Sequence, residues 1–338
     1  MEKRIILILD KLDYKNKENE YLSILKKKYS CASIVYTEYE NELIRKVRKW
    51  RYIGSALQHL LYWKKSYDYA KNIYGENADI VICINPIVGI FLGMMNRSRK
   101  TKIILCGFLF EPKKNRIYYI LRKRFVEKCL KGVEYAVVYA RQEVAYYQEI
   151  FGLIDKFRFI PYGIDYMVED SYQGELPEEY IFSGGGSNRD YATLVEAYNL
   201  LNESERPAMC IATMPRCLEG LNIKNINVLT DVVLENFGSV MKQSKCLVLS
   251  LKDTEISAGH QVMLEALKNN VPIIVNRIKA IEDYVSEQEV VFYESGNVQM
   301  LAECIKNCIN SPKNRNTYDI YAQKYSFKML LDRLIDLT

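Results

Sequence analysis

Histidine is nearly missing from this chain: 338 residues contain two, His59 and His260. Nine cysteines are present, but no two form a C-x-x-C pair, and the closest, Cys304 and Cys308, have the i, i+4 spacing of one helix face. So few ligands, so spaced, argue against a zinc site, and thiols without a disulfide framework fit a reducing compartment. No D-x-D carboxylate pair occurs, so nothing in the pattern asks for a metal. Long apolar runs are missing too. The longest stretch, Ala78 to Met95, is broken by Asp79, Asn85 and Pro86 and reads as a buried strand, a turn and a helix rather than a membrane span. Between Met1-Glu-Lys-Arg and Asp10 stand only Ile5–Leu9, too short for the core of an export signal, so none is expected. With 49% hydrophobic and 26% charged residues the composition is ordinary for a globular chain. It excludes disordered, collagen-like and disulfide-scaffold classes, and the length predicts about two domains.

What is present is unevenly charged. Residues 1–165 hold 31 Lys and Arg against 18 Asp and Glu, a balance of +13, while residues 166–338 hold 16 against 24, a balance of −8. A basic first half suits an anionic partner, and an inert solvated surface explains the same numbers.

The pattern along the first half alternates aliphatic runs with amphipathic stretches. Strands are expected at Arg4–Leu9, Ser33–Tyr36, Asp79–Ile84, Lys102–Gly107, Glu134–Tyr139 and Phe157–Ile160. Helices are expected at Glu18–Lys28, 41–73, from Pro86, Asn115–Lys131 and Gln142–Phe151. Continuous Val/Ile/Leu strands alternating with helices predict a parallel sheet covered on both faces. The second half repeats this, with strands at Glu179–Ser183, Met209–Ala212, Asn227–Leu229, Cys246–Leu251, Pro272–Val275 and Val290–Tyr293. Its helices are expected near 190–201, 235–243, 260–269 and 297–309, before a helical tail over 318–337. The expected architecture is α/β, two doubly wound Rossmann-like domains facing a cleft. Their bounds are 1–165 and 166–320, with 321–338 as a C-terminal helix returning to the first domain. Ligands belong at the carboxyl ends of the strands.

Two segments carry candidate chemistry. Ser183-Gly184-Gly185-Gly186-Ser187-Asn188-Arg189-Asp190 is a glycine loop between a strand and a helix, which frees backbone N–H groups for a phosphate. A dinucleotide fingerprint needs glycine where Arg189 stands, and the lysine and hydroxyl of a P-loop are missing. An arginine at the helix mouth suits a diphosphate; a tight turn with a solvated arginine is the other reading. Ser257-Ala258-Gly259-His260 then opens a helix that carries Glu265, followed by Val271-Pro272-Ile273-Ile274-Val275. The helix start favours an anion, and Glu265 a turn inside it suits sugar hydroxyls. On the same residues, Glu265 reads equally as a helix-face charge and His260 as a packed or capping side chain.

Together these segments resemble the donor-site signature of GT-B-fold glycosyltransferases of family 4, also called group 1. Glu265-Ala266-Leu267 with the strand after it is similar to the second half of the family's Glu-x7-Glu motif; 180–197 is similar to its opening strand, diphosphate loop and helix. Lys156–Asp165 is similar to its domain junction and Tyr325-Ser326-Phe327 to its return segment. The resemblance implies transfer of a sugar from a nucleotide-diphosphate sugar to a glycan acceptor, with no cofactor and no metal. Gly184, Gly185 and Gly186 would admit the diphosphate and Arg189 would neutralise it as the leaving group departs. Gly259 and His260 would meet the diphosphate or sugar through backbone groups, Glu265 would hold ribose hydroxyls, and 230–233 would face the base.

Departures are specific. Ser257 replaces the first Glu of the motif, Gly186 replaces an arginine, and the usual lysine falls to Lys252. Asp10-Lys11-Leu12-Asp13 stands where a glycine pair is expected. Gly107–Glu111 stands where the family often has a histidine, which makes Glu111 the candidate for acceptor chemistry. Family acceptors are often lipid-linked diphosphate sugars. Basic and aromatic residues interleave in 45–65 and 113–131, which suits an anionic membrane surface and equally a buried face with solvated cations. The expectation is a cytoplasmic enzyme, peripheral to the inner face of the membrane, making surface polysaccharide, with no nucleic-acid partner. A catalytically degenerate partner subunit and a nucleotide-sugar epimerase on the same fold are the alternatives.

Overall fold

The computed structural model describes residues 3–10, 17–39, 44, 46, 54–113, 115–165, 171–204, 206–232, 234–310 and 316–338. Most of the helix expected before residue 54 (residues 44 and 46 are described, and are helical), Lys11–Asp13, the start of the acidic segment after Asp165, and Val233 lie outside the described residues. The chain forms two compact units, Met1–Ile160 with Leu330–Thr338, and Pro161–Met329.

The first unit runs β1 (Arg4–Asp10), α1 (Glu18–Lys26), β2 (Cys31–Thr37), α2 (Gly54–Gly75), β3 (Ile80–Cys83), α3 (Pro86–Met95), β4 (Lys102–Leu105), α4 (Arg116–Leu130), β5 (Tyr135–Val138), α5 (Arg141–Phe151) and β6 (Phe157–Phe159). Its sheet is parallel throughout, in the order β2-β1-β3-β4-β5-β6. Ile5–Leu9 are fully buried, because a central parallel strand has helices on both faces and cannot alternate with polar residues. Local chemistry starts and stops the helices. The Asn85 side chain accepts from the N–H groups of Ile87 and Val88 at 3.2 Å, with Pro86 at the first helical position of α3. Asn115 caps α4 by accepting from Tyr118 N–H. Gly152, at φ +64°, ends α5 and returns its N–H to the Gln148 carbonyl. Gly93 lets α3 approach α4 closely: a Cβ there would lie 2.4 Å from the Cys129 carbonyl oxygen. Beneath α5, Phe108, Tyr147, Phe151 and Phe157 pack with ring centroids 5.0–6.3 Å apart.

The second unit runs β7 (Tyr180–Gly184), α6 (Tyr191–Leu200), β8 (Ala208–Ala212), a 3-10 turn (Pro215–Leu218), β9 (Ile226–Leu229), α7 (Leu234–Gln243), β10 (Leu247–Leu249), α8 (His260–Lys268), β11 (Ile273–Asn276), α9 (Lys279–Glu282), β12 (Val291–Tyr293) and α10 (Val298–Asn310). Its parallel order, β12-β11-β10-β7-β8-β9, reverses direction between β7 and β10. That reversal is where open α/β sheets hold ligands.

The expected doubly wound pair is present; the tail differs from expectation. Instead of one helix over 318–337 there is a turn at Tyr318–Ile320, a π-helical turn at Tyr321–Tyr325, and α11 (Phe327–Asp336). Ser326 bridges Ile164: Ile164 N–H donates to the Tyr325 carbonyl at 3.0 Å and Phe327 N–H to the Ile164 carbonyl at 3.2 Å. The Tyr321 hydroxyl donates to the Ile164 carbonyl and to the Asp165 carboxylate. These bonds keep 161–165 and 318–329 in the second unit. Only Leu330–Thr338 groups with the first, where Lys28 Nζ donates to the Ile335 carbonyl and Tyr29 pairs with Thr338.

Candidate functional site

At the reversal between β7 and β10, two loops are stitched together. Asp190 N–H donates to the Ser250 carbonyl at 3.0 Å, Lys252 N–H to the Asn188 carbonyl at 2.9 Å, and Arg189 bridges Leu251. Gly184 closes β7 against α7; a Cβ on it would lie 2.7 Å from the Phe237 ring. Gly185 takes φ +102°, open to glycine and strained for other residues. Its carbonyl accepts from the hydroxyls of Tyr191 at 2.6 Å and Thr213 at 2.9 Å. Gly186 is exposed with open space about it. Asp190 caps α6 by accepting from Thr193 N–H and hydroxyl.

Arg189 is not the solvated or outward cation that the loop pattern allows. It is 9% exposed; Nε donates to the Gly184 carbonyl at 2.8 Å and a terminal nitrogen to the Ser187 carbonyl at 2.9 Å. The guanidinium lies over Gly185, whose missing Cβ would stand 2.4 Å from it. Burial lowers its pKa from the ordinary value, and no carboxylate lies within ion-pair distance among the described residues. A buried cation held only by carbonyl oxygens has no carboxylate to offset its charge, an arrangement that favours an anion nearby. Lys252, exposed, adds a second cation beside it.

Gly259, at φ +82°, starts α8 directly over Leu251; a Cβ there would meet the Leu251 methyls at 3.0 Å. The first-turn N–H groups of α8 therefore start beside the paired loops. Ser257 is half-buried just ahead of them. His260 is turned inward: Nε2 bonds the Ala280 carbonyl at 2.9 Å, and the ring stacks on Tyr284 with centroids 4.3 Å apart. Burial pulls its pKa down to about 4, so the ring is neutral at pH 7. Its side chain belongs to the packing of the second unit, and only its backbone remains for a donor. Glu265 is buried. One carboxylate oxygen accepts from Asn269 Nδ2 at 3.1 Å, stands 3.9 Å from Lys268 Nζ, and would be 2.9 Å from a Cβ on Gly238. It is thus set against α7 and the end of its own helix, not on an open helix face.

Glu111, in the first unit, is exposed and paired with Lys113 at 2.9 Å. Among the described residues, Asp10 is a carboxylate at that unit's own strand-order reversal, between β1 and β3. It accepts from Asn85 Nδ2 at 3.1 Å and bonds the Thr37 hydroxyl. Nearby, Tyr39 bonds Ser66, and burial pushes its pKa up to about 12. In the second unit, sequence reasoning also misses Asn276, which ends β11 fully buried. It accepts from Leu251 N–H at 2.9 Å and donates to the Leu251 carbonyl at 2.8 Å and to Ser295. The available signal was a polar residue closing an otherwise aliphatic strand. Among the described residues, no group of three or more His, Cys, Asp or Glu is placed to hold a metal. None of their helices is long and apolar enough to cross a membrane.

Residues 213–325 match the family model described as glycosyl transferases group 1. A search of curated proteins finds no match. Among solved structures, Anabaena HepE in complex with UDP is similar at 10% identity and TM-score 0.61, covering 98% of each chain; another structure of it holds UDP-glucose. Sucrose-phosphate synthase from Thermosynechococcus elongatus is similar at 12% identity and TM-score 0.66, over 99% of this chain and 98% of that one. The lipopolysaccharide outer core galactosyltransferase WaaB is similar at 11% identity and TM-score 0.56, over 98% of both. The GT-B fold expected from sequence is shown, and the resemblance to group 1 glycosyltransferases is matched by the family model over residues 213–325.

Proposed function

We propose that this chain, whose residues 213–325 match the group 1 glycosyl transferase model, transfers a sugar from a nucleotide-diphosphate sugar to a glycan acceptor. The observation that carries the reading is the loop pair 184–190 and 250–254 at the strand-order reversal, built over a buried, carboxylate-free Arg189. The diphosphate sits on the exposed side of Gly186, with Lys252 and the first turn of α8 beside it. Arg189 acts from below: it positions the Gly184 and Ser187 carbonyls and supplies a fixed positive charge. As the bond from the anomeric carbon to the diphosphate breaks, negative charge grows on the leaving oxygen (by analogy with glycoside cleavage). Preset donors there stabilise it, and one such donor is worth about 3–4 kcal/mol. Glu265 accepts from the ribose hydroxyls. No step in this scheme uses a metal, so a chelator is expected to leave turnover intact.

The finer reading is a lipid-linked diphosphate acceptor used in surface polysaccharide synthesis, at the inner face of the membrane. The +13 balance of residues 1–165 supports it, as does the likeness to WaaB, a lipopolysaccharide outer core galactosyltransferase.

The test is calorimetric binding of UDP, GDP, ADP and CMP to wild type, Lys252→Ala and Glu265→Gln. One nucleotide is expected to bind selectively and to lose about tenfold or more in each variant, since one charge-assisted contact is worth about 1.5–3 kcal/mol. Absence of binding at millimolar nucleotide refutes the donor site and favours the non-catalytic partner, for which Ser257 in place of the motif's first Glu already speaks.

A further inference from the structure

We propose that the outer face of α4 is the surface by which the first unit docks on an anionic lipid bilayer; the inference rests on the membrane part of the reading above and names its site. α4 buries one face, Val126, Cys129 and Leu130, toward α3. At 100° per residue, Ile117, Ile120 and Leu121 lie on the opposite side. They are exposed, Ile117 at 73% and Leu121 at 61%. A solvent-facing helix side is ordinarily polar, and here its first two turns are aliphatic. Leu109 is also half exposed, in the segment before α4 that Arg122 holds by donating to the Glu111 carbonyl and lying 4.2 Å from the Phe110 ring centroid.

The same outward side continues as Arg124 and Lys128, with Arg116 and Lys123 at its flank. None of these four cations lies within ion-pair distance of a carboxylate among the described residues. The one acidic residue of α4, Glu127, is already paired with Lys131 at 3.3 Å. An apolar half and a cationic half on one exposed helix face match the two layers of a membrane interface. Acyl chains receive the isoleucines and leucine, and anionic headgroups receive the arginine and lysine. A protein partner would meet the apolar half equally well. The run of uncompensated cations selects the bilayer.

The experiment is co-sedimentation of the full chain with vesicles of phosphatidylcholine, with and without phosphatidylglycerol, for wild type, Ile117→Ser/Leu121→Ser and Arg124→Gln/Lys128→Gln. These positions are exposed, so the melting temperature and nucleotide binding in solution are expected to be unchanged. Wild type is expected to bind only the phosphatidylglycerol vesicles, less so at high salt. The charge variant is expected to bind about 30-fold more weakly, about fivefold for each cation. The apolar variant is expected to lose binding at low salt as well. Wild-type binding that both variants retain overturns the assignment to α4 and leaves membrane association standing. No wild-type binding overturns both. A dimer that the apolar variant converts to monomer, without change in vesicle binding, overturns the proposal in favour of self-association.

Discussion

Replacing Arg189 by Met keeps the length and apolar volume of the side chain and removes its charge and donors. Two bonds go, to the Gly184 carbonyl at 2.8 Å and the Ser187 carbonyl at 2.9 Å. A hydrogen bond from a charged donor contributes about 1.5–3 kcal/mol, and the buried carbonyls lose their partner. Against this, the variant no longer desolvates a cation that has no carboxylate beside it. The two bonds together are worth about 3–6 kcal/mol and the relieved desolvation offsets part of that, leaving a loss of about 3 kcal/mol. In a unit of this size 1 kcal/mol shifts the melting temperature by about 2–4 °C, so the transition of the second unit should fall by roughly 6–12 °C. Arg189→Lys keeps the charge but cannot span both carbonyls, and should fall about half as far. Differential scanning calorimetry reads both, with the first unit's transition as internal reference where the two separate. A Met variant that melts within about 2 °C of wild type refutes the idea that the guanidinium holds the loop. Saturating nucleotide should then rescue the Lys variant more than the Met variant, since only Lys still offers a cation to the diphosphate.

Protonation of His260 should drive part of the acid instability. Its pKa is lowered by burial to about 4 in the folded chain, against an ordinary 6.5, so the unfolded state binds the extra proton and stability falls as pH drops from about 6.5 toward 4. The stability gap between wild type and His260→Gln, measured by urea unfolding, should be about 2 kcal/mol narrower at pH 5 than at pH 7.5. Gly238→Ala should raise or preserve stability through helix propensity, worth about 1 kcal/mol. It should also displace the Glu265 carboxylate, which would lie 2.9 Å from the new methyl; nucleotide affinity falling while the melting temperature does not is the expected signature. Asn276→Leu should cost about 3 kcal/mol, because the buried N–H and carbonyl of Leu251 lose their partner together. It should weaken nucleotide binding as well, and a Leu variant with wild-type stability by urea titration contradicts that account.

Much of the fold was legible because it is written locally. Ile5–Leu9 could only be a strand buried on both sides, and Asn85-Pro86 states where α3 begins. The glycine loop and the Gly259 helix start were found for the same reason: turns demand particular residues within a few positions. The direction of Arg189 was not legible, since it is decided by the φ of Gly185 and by a bridge to Leu251, sixty positions away. Asn276 is not legible because its partners are likewise remote, and the place of Asp10 at a strand-order reversal is not legible because strand order is invisible in a one-dimensional pattern. The tail read as one helix because its apolar spacing is continuous; the pairing of Ser326 with Ile164 breaks it.

The split make-up of the first unit also sets a timetable. Its last piece, Leu330–Thr338, is separated from Met1–Ile160 by the whole of Pro161–Met329. At a synthesis rate of about 5–20 residues per second, roughly ten to thirty seconds pass between the emergence of β6 and of Leu330. Through that interval the first unit lacks the segment that Lys28 and Tyr29 bond and in which Leu334 and Ile335 are buried. The chain is therefore most open to chaperone capture midway through translation, and a slowing of synthesis after residue 160 should lengthen that exposure rather than help the nascent protein fold.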